Sequence, residues 1–343
     1  MRVFTGIQYL RGLAATAVLL FHLSERFGGE FKVGSAGVDV FFVISGFIMW
    51  VTTAGKNWSP QQFMGRRLIR IVPLYWIVIG VTALAILLKP QFLFGHDLST
   101  HNFFGSLFFF PDVRNDEFHP IVLQGWTLTY EMAFYVVFGI VLLGAERIRF
   151  WAIGAAFTLF VLLQPLIGNE KLHVLANPII LEFLFGMAIA RLWLSGFAVP
   201  VYAAVGLMLL SALALASTDY IAPSLPRLIR WGVPGALLVA GSVFAESIFK
   251  NRSFAPLLRL LGDASYSVYL WHVLAIAALD GLLLKMKLPW PFHVAGVGLL
   301  ALGLTVVLYF LIEKPLVEFF GKITRNASPA SLNKAANNQT SKI

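Results

Sequence analysis

Two apolar stretches near the start decide how the chain folds: YLRGLAATAVLLFH at residues 9–22 and GVDVFFVISGF at residues 37–47. Both are apolar enough to enter a membrane, yet they carry Arg11, His22, Asp39 and Ser45. A charged group at the centre of a bilayer costs about 3 kcal/mol on insertion scales, so such residues usually face a protein-enclosed site instead of lipid. The two stretches therefore predict membrane helices that line a site.

The composition excludes an ordinary soluble domain. Apolar residues make up 58% of the 343 residues and charged residues 13%, whereas about a quarter of a soluble domain is charged. There is no cysteine, which excludes disulfides and a cysteine thioester intermediate. The net charge of +9 does not indicate nucleic acid, because the basic residues fall at the ends of the apolar stretches. The expected partner is a lipid bilayer.

Hydropathy predicts an all-α, polytopic membrane protein with about ten transmembrane helices, because a span needs about 20 apolar residues. The predicted spans are residues 7–25, 37–54, 72–88, 128–144, 150–167, 177–194, 199–216, 232–248, 266–284 and 293–313. Lysine and arginine are more numerous in the loops on the side of the N-terminus, which predicts that both termini are cytoplasmic. We expect one membrane-embedded domain, residues 1–320, and a disordered cytoplasmic tail, residues 321–343.

Arg11 and His22 are separated by three helical turns, so they share a face of the first helix about 16 Å apart along it. With the N-terminus inside, Arg11 lies near the cytoplasmic side and His22 near the outer side. Asp39 begins the second span on the outer side and is expected to orient His22. Ser45 lies on the opposite face of that helix and is expected to allow close helix packing. The alternative is structural: Arg11 reaches the interface, and His22 packs at a helix end.

A basic segment, RRLIRIVP at residues 66–73, precedes the third span. Arg67 and Arg70 share a helix face, so their guanidinium groups can converge on phosphate oxygens. The alternative is topological, because arginines at this position also hold a loop on the inner side of the membrane.

Two later motifs place polar groups on helix faces. In WTLTYEMAFY, residues 126–135, Glu131 and Tyr135 share a face. Near the outer end, Glu131 can bond a sugar hydroxyl or pair with a buried cation, and the alternative is a Glu131–Tyr135 bond that locks two helices. In SYSVYLWH, residues 265–272, Tyr269 and His272 share a face, and aromatic packing is the alternative role. The histidines are scattered, so no metal site is expected. Three further carboxylates are expected to face the interior: Glu182, Glu246 and Asp280.

Taken in order, these motifs resemble the acyltransferase-3 family, integral membrane enzymes that acylate sugars. The resemblance covers residues 5–320 and is strongest to the branch that decorates bacterial exopolysaccharides. It rests on the opening run with Arg11 and His22, the Arg-x-x-Arg-x-x-Pro pattern, the Trp-Thr-Leu…Tyr-Glu string behind a phenylalanine-rich loop, and the Ser-Tyr-Ser-x-Tyr-x-x-His string.

The resemblance implies an O-acyltransferase of the bacterial inner membrane. Such an enzyme moves an acyl group, usually acetyl, from cytoplasmic acyl-CoA to a hydroxyl of an exopolysaccharide or its lipid-linked oligosaccharide precursor. Acyl-CoA is then a co-substrate, and no permanently bound cofactor is expected. The main alternative is a multi-pass transporter of a carbohydrate or lipid-linked sugar, with polar residues along its pathway. A further alternative keeps the chemistry but makes a protein or lipid hydroxyl the acceptor.

The resemblance also implies roles for individual residues. His22 is expected to be the general base, since a neutral imidazole can take a proton from an attacking hydroxyl. The expected catalytic set is His22, Asp39 and Glu131. The expected donor-binding set, which meets the phosphates and the pantetheine arm of acyl-CoA in the cytoplasmic half, is Arg11, Arg67, Arg70, Tyr269 and His272.

Overall fold

The computed structural model describes residues 4–89, 98–250 and 256–326, and within these ranges the chain is helical apart from loops and one short β-hairpin. The first half contains α1 (Thr5–Arg26), α2 (Gly37–Thr53), α3 (Pro60–Leu88), α4 (Thr100–Leu107), β1 (Asp112–Arg114), β2 (Glu117–His119), α5 (Gly125–Val141), α6 (Glu146–Leu162) and α7 (Glu170–Leu175). The second half contains α8 (Glu182–Leu194), α9 (Val201–Ile221), α10 (Val233–Phe244), α11 (Glu246–Lys250), α12 (Pro256–Asp263), α13 (Ser265–Leu283), α14 (Trp290–Leu308) and α15 (Lys314–Asn326). The predicted all-α class is confirmed.

Irregular helical turns extend several of these helices. A 3₁₀ turn, Lys32–Ala36, leads into α2, and a π-helical turn, Leu228–Gly232, leads into α10. A second π-helical turn, Tyr309–Glu313, joins α14 to α15. The predicted disordered tail begins at residue 321, but α15 continues to Asn326, and residues 327–343 lie outside the described residues.

Six helices in the described ranges are long and apolar enough to cross a bilayer: Thr5–Arg26, Lys32–Thr53, Pro60–Leu88, Val201–Ile221, Ser265–Met286 and Trp290–Lys322. The other four predicted spans overlap α5, α6, α8 and α10, which are shorter. A helix of 13 residues such as α8 rises only about 20 Å, less than the ~30 Å hydrocarbon core. The number of ten crossings and the orientation of the termini therefore remain predictions.

The centre of the bundle is α2. In the most apolar stretch of 18 consecutive residues within Lys32–Thr53, which joins the preceding turn to α2, 72% of the residues are buried. The corresponding share for α9 is 11%. A Cβ atom at Gly46 would lie 2.0 Å from the carbonyl oxygen of Phe183 in α8, and one at Gly186 would lie 1.9 Å from that of Val43. The α2 and α8 backbones can touch only because both positions lack a side chain. The expected close packing next to Ser45 is confirmed.

Distant carboxylates cap two of the helices that carry the site. Glu246 accepts hydrogen bonds from the backbone N–H groups of Thr5 (2.7 Å) and Gly6 (3.0 Å) at the start of α1. Glu313 accepts from the N–H of Ser267 (2.9 Å) in the first turn of α13. A negative charge at a helix N-terminus satisfies free N–H groups and complements the helix dipole. Both contacts fix how α1 and α13 begin.

The segment between α3 and α5 is built around a hairpin. β1 and β2 pair antiparallel, with Asp112 opposite His119 and Arg114 opposite Glu117. The turn residues Asn115 and Asp116 both have positive φ, 50° and 57°, as a two-residue hairpin turn requires. The phenylalanine-rich run that precedes the hairpin forms the short helix α4 instead of a span, as predicted.

Candidate active site

Three arginines lie close together toward the Thr5 end of α1. Arg11 donates from Nη1 to Gln8 Oε1 (2.7 Å) and from Nη2 to Ser265 Oγ (2.8 Å), which ties α1 to the start of α13. Arg70 lies within electrostatic reach of both Arg11 and Arg67. The sequence predicts that these three arginines belong to one site, and in the structure they lie close together. We refer to Arg11, Arg67 and Arg70 as the arginine cluster.

Arg67 has spare hydrogen-bonding capacity within this cluster. Its Nε is buried and has no hydrogen-bond partner among the residues that the structure describes. Its guanidinium carbon lies 6.0 Å from the centroid of the Phe63 ring. Neighbouring like charges repel, and a buried donor without a partner costs free energy. An anion bound at the cluster would relieve both penalties.

Glu131 lies beside the arginine cluster. Its Oε1 accepts hydrogen bonds from Ser45 Oγ (3.0 Å) and from Tyr135 OH, and its charge acts on Arg11. The predicted Glu131–Tyr135 pair is confirmed. Ser45 and Tyr135 hold its carboxylate between α2 and α5, next to the arginines, as expected if Glu131 pairs with a buried cation. Its expected role toward the sugar or the base stays a prediction.

Two histidines form the second group of polar side chains, toward the Arg26 end of α1. The rings of His22 and His272 stack with centroids 5.1 Å apart and an interplanar angle of 29°. Nδ1 of His272 lies 2.7 Å from the carbonyl oxygen of Tyr269 and 3.2 Å from that of Val268, so Nδ1 carries the proton. Nε2 is then a free lone pair, and it is buried without a hydrogen-bond partner among the described residues. We refer to His22 and His272 as the histidine pair.

His22 is oriented by a carboxylate on its own helix. Its Nδ1 lies 2.9 Å from Glu25 Oε2, one turn further along α1. The imidazole is 20% exposed and the Glu25 side chain 55% exposed. When Nδ1–H donates to a carboxylate, Nε2 is left as the basic nitrogen. Glu25 was not predicted as a site residue, although its i, i+3 spacing from His22 is visible in the sequence.

Asp39 does not orient His22, which corrects the sequence prediction. Its side chain is fully buried, and both carboxylate oxygens accept from Arg227: Oδ1 from Nε (3.1 Å) and Oδ2 from Nη2 (2.8 Å). The expectation failed because sequence separation hides this partner, 188 residues along the chain. Asp39 and Ser45 bond to different helices, so the prediction that they face opposite sides of α2 is confirmed.

Tyr269 connects α13 to α5. Its hydroxyl lies 2.8 Å from Thr127 Oγ1, and its ring centroid lies 6.1 Å from that of His272. The predicted shared face of Tyr269 and His272 is confirmed. His272 lies beside His22 instead of the arginine cluster, and the expected contact of Tyr269 and His272 with the pantetheine arm of the donor stays a prediction.

The remaining interior carboxylates also have partners or close neighbours. Asp280 pairs with Arg26 (2.7 Å) and with His293 (2.8 Å) near the end of α1. Glu182 is fully buried and lies within electrostatic reach of Asp39. The prediction of an interior position is confirmed for Glu182 and Glu246, which are buried, whereas Asp280 is half-buried with 18% of its side chain exposed.

The geometry separates two functions along α1. The arginine cluster can hold an anion at one end, and the histidine pair lies toward the other. Arg11 and His22 are about 16 Å apart along the helix axis. The polar side chains of Ser45, Glu131 and Thr127 lie on the helices that connect these two groups. A molecule with an anionic end and a reactive end at a distance fits this arrangement.

The apolar helices indicate a multi-pass membrane protein, and its candidate site contains a pair of stacked histidines. Residues 4–311 match the family model described as an acyltransferase domain, so the chain belongs to the acyltransferase-3 family and is an acyltransferase. It is 35% identical over 308 residues to the exopolysaccharide production protein ExoZ of Rhizobium meliloti, covering 88% of this chain and 95% of that protein.

More distant relatives are O-acetyltransferases. The chain is 24% identical to O-acetyltransferase OatA of Staphylococcus aureus over 92% of this chain and 57% of that protein. It is 29% identical to peptidoglycan O-acetyltransferase OatA of Listeria monocytogenes over 78% of this chain and 48% of that protein. The chain thus spans about half the length of the OatA proteins. No solved structure shows a significant match. These relatives support a membrane O-acyltransferase.

Proposed function

We propose that the protein transfers an acyl group, acetyl in the first instance, from cytoplasmic acyl-CoA to a hydroxyl of an exopolysaccharide or its lipid-linked precursor, at the bacterial inner membrane. The observation that carries the proposal is the histidine pair. An imidazole whose Nδ1 faces a carboxylate and whose Nε2 is free is arranged as a general base.

The proposed reaction is a direct acyl transfer. His22 Nε2 removes the proton of the acceptor hydroxyl while the hydroxyl oxygen attacks the thioester carbonyl carbon. The new C–O bond forms, the C–S bond breaks, and the coenzyme A thiolate leaves with the proton that His22 took. The ring of His272 stacks on that of His22 at an interplanar angle of 29° and restricts its rotation, so we assign it as a positioning residue.

The proposed donor site is the arginine cluster. Guanidinium groups bind phosphate oxygens in pairs of hydrogen bonds, and coenzyme A carries phosphates at one end and its thioester at the other. The extended pantetheine arm is comparable in length to the separation of Arg11 and His22 along α1. With the predicted orientation, phosphates would bind on the cytoplasmic side, and the thioester would reach His22 near the outer side.

The acceptor is assigned by analogy with the relatives. ExoZ is named for exopolysaccharide production, and the Listeria OatA for O-acetylation of peptidoglycan. Both names concern extracytoplasmic carbohydrate, and the identity to ExoZ is the higher of the two. We therefore propose an exopolysaccharide hydroxyl as the acceptor.

A reconstituted assay tests this proposal. The full chain in lipid nanodiscs would receive radiolabelled acetyl-CoA and de-O-acylated oligosaccharide prepared from the host's exopolysaccharide. We expect His22→Ala to lower label transfer by at least 100-fold, because general-base catalysis contributes that order of rate. The matched control is His101→Ala, which removes a histidine that is 75% exposed and pairs with Asp112 outside the site.

Two outcomes would contradict the proposal. One is transfer by His22→Ala at the rate of the His101→Ala control. The other is uptake of sugar by vesicles that contain the protein but no acyl donor, which is the behaviour of a transporter.

A further inference from the structure

Arg227 is a cation near the candidate active site, and no sequence motif predicts a role for it. It immediately precedes the π-helical turn Leu228–Gly232, and two of its nitrogens bond to Asp39. Nη2 also donates to the carbonyl oxygen of Ser35 (3.3 Å) and to Ser35 Oγ (3.4 Å). These contacts use Nε and Nη2. No hydrogen bond of Nη1 to a described residue is found, and 29% of the Arg227 side chain is exposed.

Two tryptophans flank the guanidinium. Its central carbon lies 4.8 Å from the ring centroid of Trp231, which is buried, and 5.8 Å from that of Trp126, which is half-buried. A cation over an indole face is stabilised by the ring quadrupole. The tryptophans therefore fix the plane of the guanidinium. Trp126 still presents part of its surface to the outside.

This group lies on the same side of the bundle as the histidine pair. The charge of Arg227 acts on Tyr269, whose ring neighbours that of His272. Phe41, two residues after Asp39 on α2, meets the same tyrosine with ring centroids 5.8 Å apart. Tyr269 thus stands between Arg227 and the histidine pair.

The charges around Arg227 decide what it can bind. Asp39 neutralises it directly, and Glu182 is a second carboxyl group within electrostatic reach. A guanidinium with both neighbours offers no net positive charge to a carboxylate or phosphate. It still offers an oriented N–H donor beside an aromatic face. That combination suits a neutral sugar ring, which has apolar C–H faces and hydroxyl acceptors at its rim.

We infer that Arg227 and Trp126 form a binding subsite for a neutral sugar unit of the acceptor. Nη1 donates to a ring or hydroxyl oxygen, and the sugar face packs on the exposed part of Trp126. Asp39 is a positioning residue, which holds the guanidinium fork in place. The inference rests on the proposed acyl transfer to carbohydrate and adds the group that would hold the acceptor beside the histidine pair.

Arg227→Lys is the first test variant, because lysine retains the charge opposite Asp39 but has a single nitrogen, so it cannot hold Asp39 and also donate from the position of Nη1. The second is Trp126→Leu, which leaves the Asp39–Arg227 pair intact. The matched control is Arg230→Gln, since Arg230 stacks on the other tryptophan, Trp231 (4.3 Å), and donates to a loop carbonyl. All variants would be full-length and reconstituted in nanodiscs.

The measurements separate acceptor from donor. With the host's de-O-acylated oligosaccharide as probe, we expect both test variants to raise the acceptor KM at least tenfold, with the KM for acetyl-CoA within twofold of wild type. Arg230→Gln should match wild type in both constants. An unchanged acceptor KM in Arg227→Lys and Trp126→Leu would overturn the inference, and so would a rise confined to the donor KM.

Direct binding without donor keeps the inference separate from the proposed reaction. Neutral and acidic fractions of the same oligosaccharide would be titrated against the protein by calorimetry. We expect the neutral fraction to bind wild type, to bind Arg227→Lys at least tenfold more weakly, and to show little dependence on salt. Failure of the neutral fraction to bind wild type, or salt-sensitive binding of the acidic fraction alone, would overturn the subsite. Binding as expected but no acyl transfer by wild type would instead reject the proposed reaction.

Discussion

Replacement of Asp39 by Asn tests whether the Asp39–Arg227 pair holds α2 to the turn before α10. Asparagine keeps the shape of the side chain but replaces one carboxylate oxygen by an N–H₂ group that faces a donor. Two bonds between charged groups, at 3.1 and 2.8 Å, become at best one bond from the charged guanidinium to a neutral amide oxygen.

The magnitude follows from these bonds. A hydrogen bond to a charged group contributes about 1.5–3 kcal/mol, so loss of one of the two bonds costs roughly 2 kcal/mol. The remaining bond is weakened because its acceptor has lost its charge, which brings the cost to roughly 3 kcal/mol for a fully buried pair. Asp39 is fully buried, but Arg227 is 29% exposed and water can solvate it in the variant. We therefore expect the free energy of unfolding to fall by about 2 kcal/mol, which is about 30-fold in the unfolding equilibrium constant.

Steric trapping in bicelles measures this free energy for a membrane protein. Asp219→Asn is the matched control: its Oδ1 makes a single contact of 3.4 Å with Arg230 Nε, which has no hydrogen bond to a described residue, so its loss should cost below about 1 kcal/mol. Equal effects of the two variants would refute the reasoning, because they would show that burial and bidentate geometry add nothing at Asp39.

Two further predictions concern packing and donor binding. Gly186→Val should lower the free energy of unfolding by more than about 3 kcal/mol, since its Cβ would overlap the α2 backbone. The control Gly80→Val has open space around it and should cost below about 1 kcal/mol. Steric trapping measures both free energies, and equal costs would contradict the prediction. Arg67→Gln should raise the KM for acetyl-CoA about tenfold through loss of a charged phosphate contact. The guanidinium of Arg66 stacks on Trp58 (4.5 Å), so the control Arg66→Gln should leave this KM unchanged. A KM for acetyl-CoA that is the same in both variants would argue against a phosphate site.

Much of the fold could be predicted because lipid imposes strong constraints on sequence. Each predicted span overlaps a helix, since long apolar runs have few other ways to satisfy their backbone. Boundaries were less accurate where polar residues continue a helix. Pro60–Leu88 begins well before the predicted span at residue 72, because Ser59 and Gln62 form a capping box that starts the helix in the basic segment.

The candidate site could be predicted only as far as helix periodicity reaches. The Glu131–Tyr135 contact and the shared face of Tyr269 and His272 follow from i, i+3 and i, i+4 spacing. The pairing of Asp39 with Arg227 and the stacking of His22 on His272 depend on how distant helices pack, and no local pattern encodes that. For this reason the sequence predicted His22, on the neighbouring helix, as the partner of Asp39, and the actual partner is Arg227.

Proton NMR of the exopolysaccharide secreted by a deletion strain shows whether O-acylation in the cell depends on His22. The strain would be complemented with wild type, His22→Ala or the His101→Ala control, at matched protein levels. If His22 is the general base, we expect O-acyl signals with wild type and the control, and none with His22→Ala. O-acyl signals of wild-type intensity in the His22→Ala strain would contradict it.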